Sequence, residues 1–131
     1  MSATVRKLIG GVVLTASTAA AACGSSPPAP SRDPVAVIRV ADEIFRIRLD
    51  TPALEQAARA ARAGTGPRIP NGRIVSGTDV NAGWSWHLRD VTFADATIEL
   101  CDGRPSMIER QGTSFGGGRF CPWGAEVVGI E

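Results

Sequence analysis

One segment of this 131-residue chain carries a clear helical period, and it limits the folds open to the rest. In ALEQAARAARAG, Leu54, Ala57, Ala58 and Ala61 recur at i, i+3, i+4 and i+7, which places them on one face of a helix. Asp50 and Thr51 precede Pro52, a favourable first helical residue. Glu55 and Arg59 make an i, i+4 pair, Arg59 and Arg62 sit at the negative end of the helix dipole, and Gly64 suits the C-cap. A lone amphipathic helix must bury its apolar face against something other than a second helix.

The remaining pattern is strand-like. Residues 39–50 (RVADEIFRIRLD) alternate, with Ile44, Arg46 and Arg48 on one side and Phe45, Ile47 and Leu49 on the other, which predicts one strand with one buried face. Residues 64–72 (GTGPRIPNG) read as a turn-rich connection, 73–78 (RIVSGT) as a short strand and 79–83 as a turn. Trp84, Trp86 and Leu88 then share a strand face opposite Ser85, His87 and Arg89; Val91, Phe93, Ile98 and Leu100 continue the pattern, and Val127, Val128 and Ile130 suggest a last strand. The expectation is an α+β domain, a small antiparallel β-sheet packed on one α-helix. Fifteen Gly and nine Pro make its connections loop-rich.

The N-terminal part reads as an export signal. Arg6 and Lys7 precede an uncharged, largely apolar run at 8–22, which is shorter than the ~20 residues of a permanent membrane helix. Ala20, Ala21, Ala22 and Cys23 followed by GSS resemble the bacterial lipobox, with Ala20 where Leu is usual. The resemblance implies a lipidated Cys23 as mature N-terminus; the alternative is an ordinary secretory signal. The expected organisation is therefore a lipoprotein-type signal peptide at 1–22, a Ser/Pro tether at 23–34 and a single domain at 35–131. Such a protein is exported and held at the cell membrane by its lipid, or else secreted.

Removing Cys23 from the count leaves Cys101 and Cys121, with nineteen residues between them. In an oxidising compartment this pair is expected to be bridged, a closure that stabilises by ~3 kcal/mol in the loop-entropy model. Two Cys and the single His87 offer at most three metal ligands and no CxxC spacing, so no metal site is expected.

Catalysis finds little support in the residues. His87 is the only His, and alternation turns it to solvent with no identifiable nucleophile beside it. Glu99 and Asp102 suit an acid/base pair, and the Asp79 to Asn81 spacing suits a cation, but these residue types also end strands and make turns. The GGG at 116–118 lacks the Lys and Ser/Thr of a phosphate loop and reads as a flexible loop inside the disulfide ring. A formal net charge of +1 gives no bulk attraction for nucleic acid. Charge is nonetheless uneven: eight Arg against five acids at 32–73, four Arg against eight acids at 74–131.

Four late motifs, NGRIVSG, NAGWSWHL, VTFADATIELCDG and FCPWG, resemble a small domain family named for the N-terminal part of a slime-mould calmodulin-binding protein and found also in bacterial exported proteins. The resemblance runs from about Ala41 to Glu131 and rests on Asn71, Gly72, Gly77, Trp84, Trp86, Glu99, Cys101, Asp102, Cys121, Pro122 and Trp123. The family name implies calmodulin binding, yet the Ala-rich 52–63 segment lacks the bulky anchors of a calmodulin ligand, and no catalytic residue carries over. RIVSG at 73–77 and Pro122-Trp123 also resemble the hairpin and Pro-Trp loops that cystatin-type inhibitors wedge into cysteine proteases, with Arg73 standing where Gln is expected.

These readings converge on a non-catalytic, disulfide-stapled binding domain without cofactor, whose partner is an envelope or extracellular protein. Gly77, Trp84, Trp86, Pro122 and Trp123 are its candidate binding residues. A protease inhibitor is the alternative, and an enzyme with an unrecognised site is a further one. An exposed Trp123 beside the Gly77 hairpin would favour inhibition; a pocket gathering His87, Glu99 and Asp102 would favour catalysis.

Overall fold

The computed structural model describes residues 32–131 together with Gly11 and Gly24. The expected signal peptide, Cys23 and nearly all of the tether lie outside the described residues. Among those described, no helix is long and apolar enough to cross a membrane.

The chain forms β1 (Val35–Val40), β2 (Glu43–Arg48), α1 (Pro52–Ala63), β3 (Ile69–Ser76), β4 (Trp86–Ala94), α2 (Pro105–Gln111), β5 (Arg119–Phe120) and β6 (Ala125–Ile130), with 3-10 turns at Glu99–Cys101 and Gly112–Gly117. The class is α+β and the pairing antiparallel, but the strands divide into two three-stranded sheets, ordered β2-β1-β6 and β4-β3-β5. Both sheets and α1 contribute to one buried cluster. At its centre Phe45, Trp86 and Phe120 pack with ring centroids 5.4 to 5.9 Å apart, and Phe115 and Trp84 extend the chain of rings on either side.

The helix α1 ends where its sequence says it should. Thr51 Oγ1 accepts the Leu54 amide at 3.1 Å, and Gly64 adopts the left-handed conformation (φ 74°) that closes the C-terminus. Leu54, Ala58 and Ala61 are buried and Ala57 is half-buried.

Four local expectations are corrected. The segment 39–50 is two strands, not one: Val40 pairs with Glu43, and Ala41 takes φ 56° in a two-residue turn. Burial falls on even positions before the turn (Ala36, Ile38, Val40) and on odd ones after it (Phe45, Ile47, Leu49), a phase change that marks the reversal. The supposed turn at 64–72 already contains the start of β3. Gly72 is required there by close packing, since a Cβ would fall 2.9 Å from Val91 Cγ2 and 3.0 Å from Leu88 Cβ.

Ile98 and Leu100 do not extend β4. They flank or enter the 3-10 turn at Glu99–Cys101 and are exposed. Inside the disulfide ring, a seven-residue helix, α2, was too short to show a period. The glycine run beside it is tightly seated, because a Cβ on Gly116 would lie 2.8 Å from the Cys101 Cα.

Candidate functional site

Cys101 and Cys121 are bridged, with Cα atoms 5.1 Å apart, inside the range ordinary disulfides occupy. Both are buried. The bridge fixes the segment 97–102 against the loop that follows β5, and the Cys121 amide adds a 2.8 Å hydrogen bond to the Cys101 carbonyl.

Trp123 stands on that loop. Its backbone N–H donates to Asp102 Oδ1 at 2.8 Å, and its indole Nε1–H donates to Thr97 Oγ1 at 2.7 Å. The ring is thus tied to both flanks of the 3-10 turn while Trp123 remains 43% exposed. Ile98 and Leu100, on the segment so held, are 66% and 67% exposed, and these three are the exposed large apolar residues among those described. A shallow cavity of about 200 Å³ beside them is lined by Ile69, Asp95, Ala96, Thr97 and Trp123. Together they form an apolar ledge at the end of β3 that starts with Ile69.

Other sequence candidates lie elsewhere. Trp86 and Pro122 are buried and belong to the core. Trp84 is half-buried and donates its indole N–H to the Ile44 carbonyl at 2.8 Å, so its polar edge seals β2. Gly77 has an open surround and a positive φ of 101°, but it follows Ser76, which pairs with Trp86. Ile69, at the other end of β3, pairs with Ala94. Seven strand steps separate Ile69 from Ser76, roughly 23 Å at ~3.3 Å per residue. Gly77 and Trp123 therefore sit at opposite ends of the β3–β4 ladder, and the two-loop wedge that the cystatin resemblance implied is not assembled.

His87 corrects its own expectation. It is 7% exposed, because the loop after β3 covers the face that alternation assigned to solvent. Nδ1–H donates to the Gly77 carbonyl at 2.6 Å, and Nε2 accepts from Arg89 Nε at 3.2 Å. Both ring nitrogens are engaged. Asp102, bound to Trp123, lies with Glu99 at the far end of the ladder, so the three residues do not share a pocket.

Asp79 and Asn81 also have structural partners. Both Asp79 oxygens accept from Arg48, at 2.7 and 3.2 Å, and these hydrogen bonds hold the Asp79 carboxyl below the usual carboxylate range against the opposing effect of its burial. Asn81 accepts the Arg46 amide and donates to the Trp86 carbonyl, each at 2.8 Å. No group of three or more metal-binding side chains occurs among the described residues.

Ile69, Asp95, Thr97, Ile98 and Leu100 were missed as site residues. Ile98 and Leu100 have the spacing of a strand face, which hid them in the sheet pattern. Two apolar residues around an acid, just before a bridged cysteine, were the available signal.

The fold and this surface define a small disulfide-stapled α+β domain that presents an apolar ledge beside its staple. Residues 34–131 match the model of the N-terminal domain family named for the slime-mould calmodulin-binding protein, and the chain belongs to that family. The match begins seven residues ahead of the resemblance read from the motifs. No curated protein and no solved structure gives a significant match.

Proposed function

We infer that this chain is an exported binding domain, lipid-anchored at Cys23, which captures a protein of the envelope or extracellular space and performs no chemistry of its own. The observation that carries the binding reading is the ledge. Three large apolar side chains are exposed on a segment locked by a disulfide and by both hydrogen bonds of Trp123. A small domain leaves such a patch open at an energetic cost, and contiguous exposed apolar surface marks interaction sites. Pre-organisation reduces the entropy lost on association, and a Trp in that setting acts as an anchor.

The non-catalytic reading rests on the occupied atoms of the candidate groups. His87, Asp79 and Asn81 spend their polar atoms within the fold. The export reading rests on Arg6, Lys7, the apolar run and the AAAC sequence. Neither cofactor nor nucleic acid enters it, and contact with the membrane is through the lipid alone.

The binding reading is tested by capture from envelope extracts with parent protein and Trp123→Ala. The variant should lose the partner while keeping the parent's thermal transition. Equal capture by both would remove the ledge as the binding surface.

A further inference from the structure

Building on the ledge as a binding surface, we propose that its occupant is a cationic amphipathic segment of another protein, with apolar side chains seated on Trp123, Ile98 and Leu100 and Lys or Arg facing Asp95 and Glu99. From Asp90 to Gly103 the chain carries four acids and no Lys or Arg. Asp90 is paired with Arg73. Asp95 lines the cavity beside Trp123, Glu99 lies between the exposed Ile98 and Leu100, and neither has an ion-pair partner among the described residues. Asp102 uses Oδ1 to hold Trp123 and Gly103, adding a third negative charge next to the ring. Arg68, one residue before Ile69, sets a single positive charge against these three.

An apolar surface with an uncompensated negative border selects its partner by charge as well as by area. A second copy docking through the same ledge about a two-fold axis would bring Asp95 and Glu99 against their own counterparts. An anionic bilayer would meet the same repulsion. A segment that alternates apolar anchors with cations satisfies both features at once.

The purified full chain is titrated with a labelled Leu/Lys amphipathic peptide and with a Leu/Glu peptide of the same length and spacing. The Leu/Lys peptide should bind and the Leu/Glu peptide should not. Asp95→Asn combined with Glu99→Gln should weaken binding about three- to twentyfold, as expected for two partly exposed ion pairs. Added salt should weaken the parent in the same direction. Both substitutions are at exposed positions, and the salt series on the unmodified protein reads the same property without any variant.

Equal binding of the two peptides, or an unchanged affinity in the double variant, overturns the charge selection. The Trp123-dependent capture would then still stand. Binding of the Leu/Lys peptide that survives Trp123→Ala overturns the ledge itself. A dimer in sedimentation equilibrium that is lost with Trp123→Ala, or tighter association with phosphatidylglycerol vesicles than with the Leu/Lys peptide, replaces the proposed occupant with a second copy or a lipid surface.

Discussion

The Asn81 side chain accepts the backbone N–H of Arg46 at 2.8 Å, from a strand of the other sheet. Its own amide donates to the Trp86 carbonyl at 2.8 Å, so one fully buried side chain joins the outer edge of β2 to the start of β4. Trp84 reinforces this seam through the Ile44 carbonyl. Two edges that would otherwise expose unpaired backbone are closed by side chains.

Asn81→Ala should therefore orphan a buried donor and a buried acceptor at once. The expected loss is about 2–4 kcal/mol, from ~1–3 kcal/mol for each group left unsatisfied. Urea unfolding of parent and variant measures it. A loss below about 0.5 kcal/mol, the scale of an ordinary surface change, would mean that the seam does not hold the sheets together.

The Trp residues should separate by role. Trp86→Ala removes a core ring packed on Phe45 and Phe120 and should cost about 3–5 kcal/mol. Trp123→Ala should leave the thermal midpoint almost unchanged. Parallel calorimetry of the two variants distinguishes the outcomes, and a large loss at Trp123 would make that ring structural.

Replacing Cys101 and Cys121 by Ser should destabilise the domain by about 2–5 kcal/mol. Denaturation of the double variant, compared with the oxidised parent, gives the figure. Because the bridge also fixes the ledge, peptide binding should fall even at temperatures where the variant remains folded.

Acid should weaken the Arg48–Asp79 contact. Asp79 has a lowered folded pKa, chiefly through the hydrogen bonds from Arg48, so its contribution is present above the unfolded value of about 3.9 and is lost as pH falls through the folded one. Arg48 is partly open to solvent, which limits the effect to about 1 kcal/mol or less. Asp79→Asn should lower stability near neutrality and flatten the acid limb below about pH 4. Asn tolerates the left-handed backbone that Asp79 adopts (φ 47°), so the comparison isolates the charge. An unchanged acid limb would contradict the assignment.

For Cys23, mass spectrometry of the membrane fraction should find a diacylglyceryl cysteine as N-terminus. Cys23→Ser should release or misprocess the protein. A soluble mature chain that begins elsewhere would count against the anchor.

The helix α1 was legible because its period, cap and terminator all fall within 51–64 and agree. The disulfide was legible because removal of Cys23 left a single pair. The sheets were harder to divide, since alternation names faces and not partners, and the reversal at Ala41 lacks the Gly or Asn that usually marks such a turn. His87 was misplaced because alternation assumes one wet face, whereas the Gly77–Asp79 loop covers that face. Trp123 was legible as a candidate; its neighbours Ile98 and Leu100 were not, because exposure depends on where the chain turns after Ala94.

Val35 and Glu131 exchange two backbone hydrogen bonds, Val35 N–H to the Glu131 carbonyl at 2.8 Å and Glu131 N–H to the Val35 carbonyl at 2.9 Å. The central strand of its sheet, β1, thus waits for a partner almost a hundred residues later. Such pairing has a high loop-closure cost and folds slowly compared with local contacts. While the chain is being made, the β1–β2 hairpin and α1 are available early, yet the apolar face of β1 keeps an open edge until β6 arrives. A chain that crosses a membrane N-terminus first would be receptive to holding factors throughout that interval, and it would become refractory to unfolded translocation only when its last strand is in place.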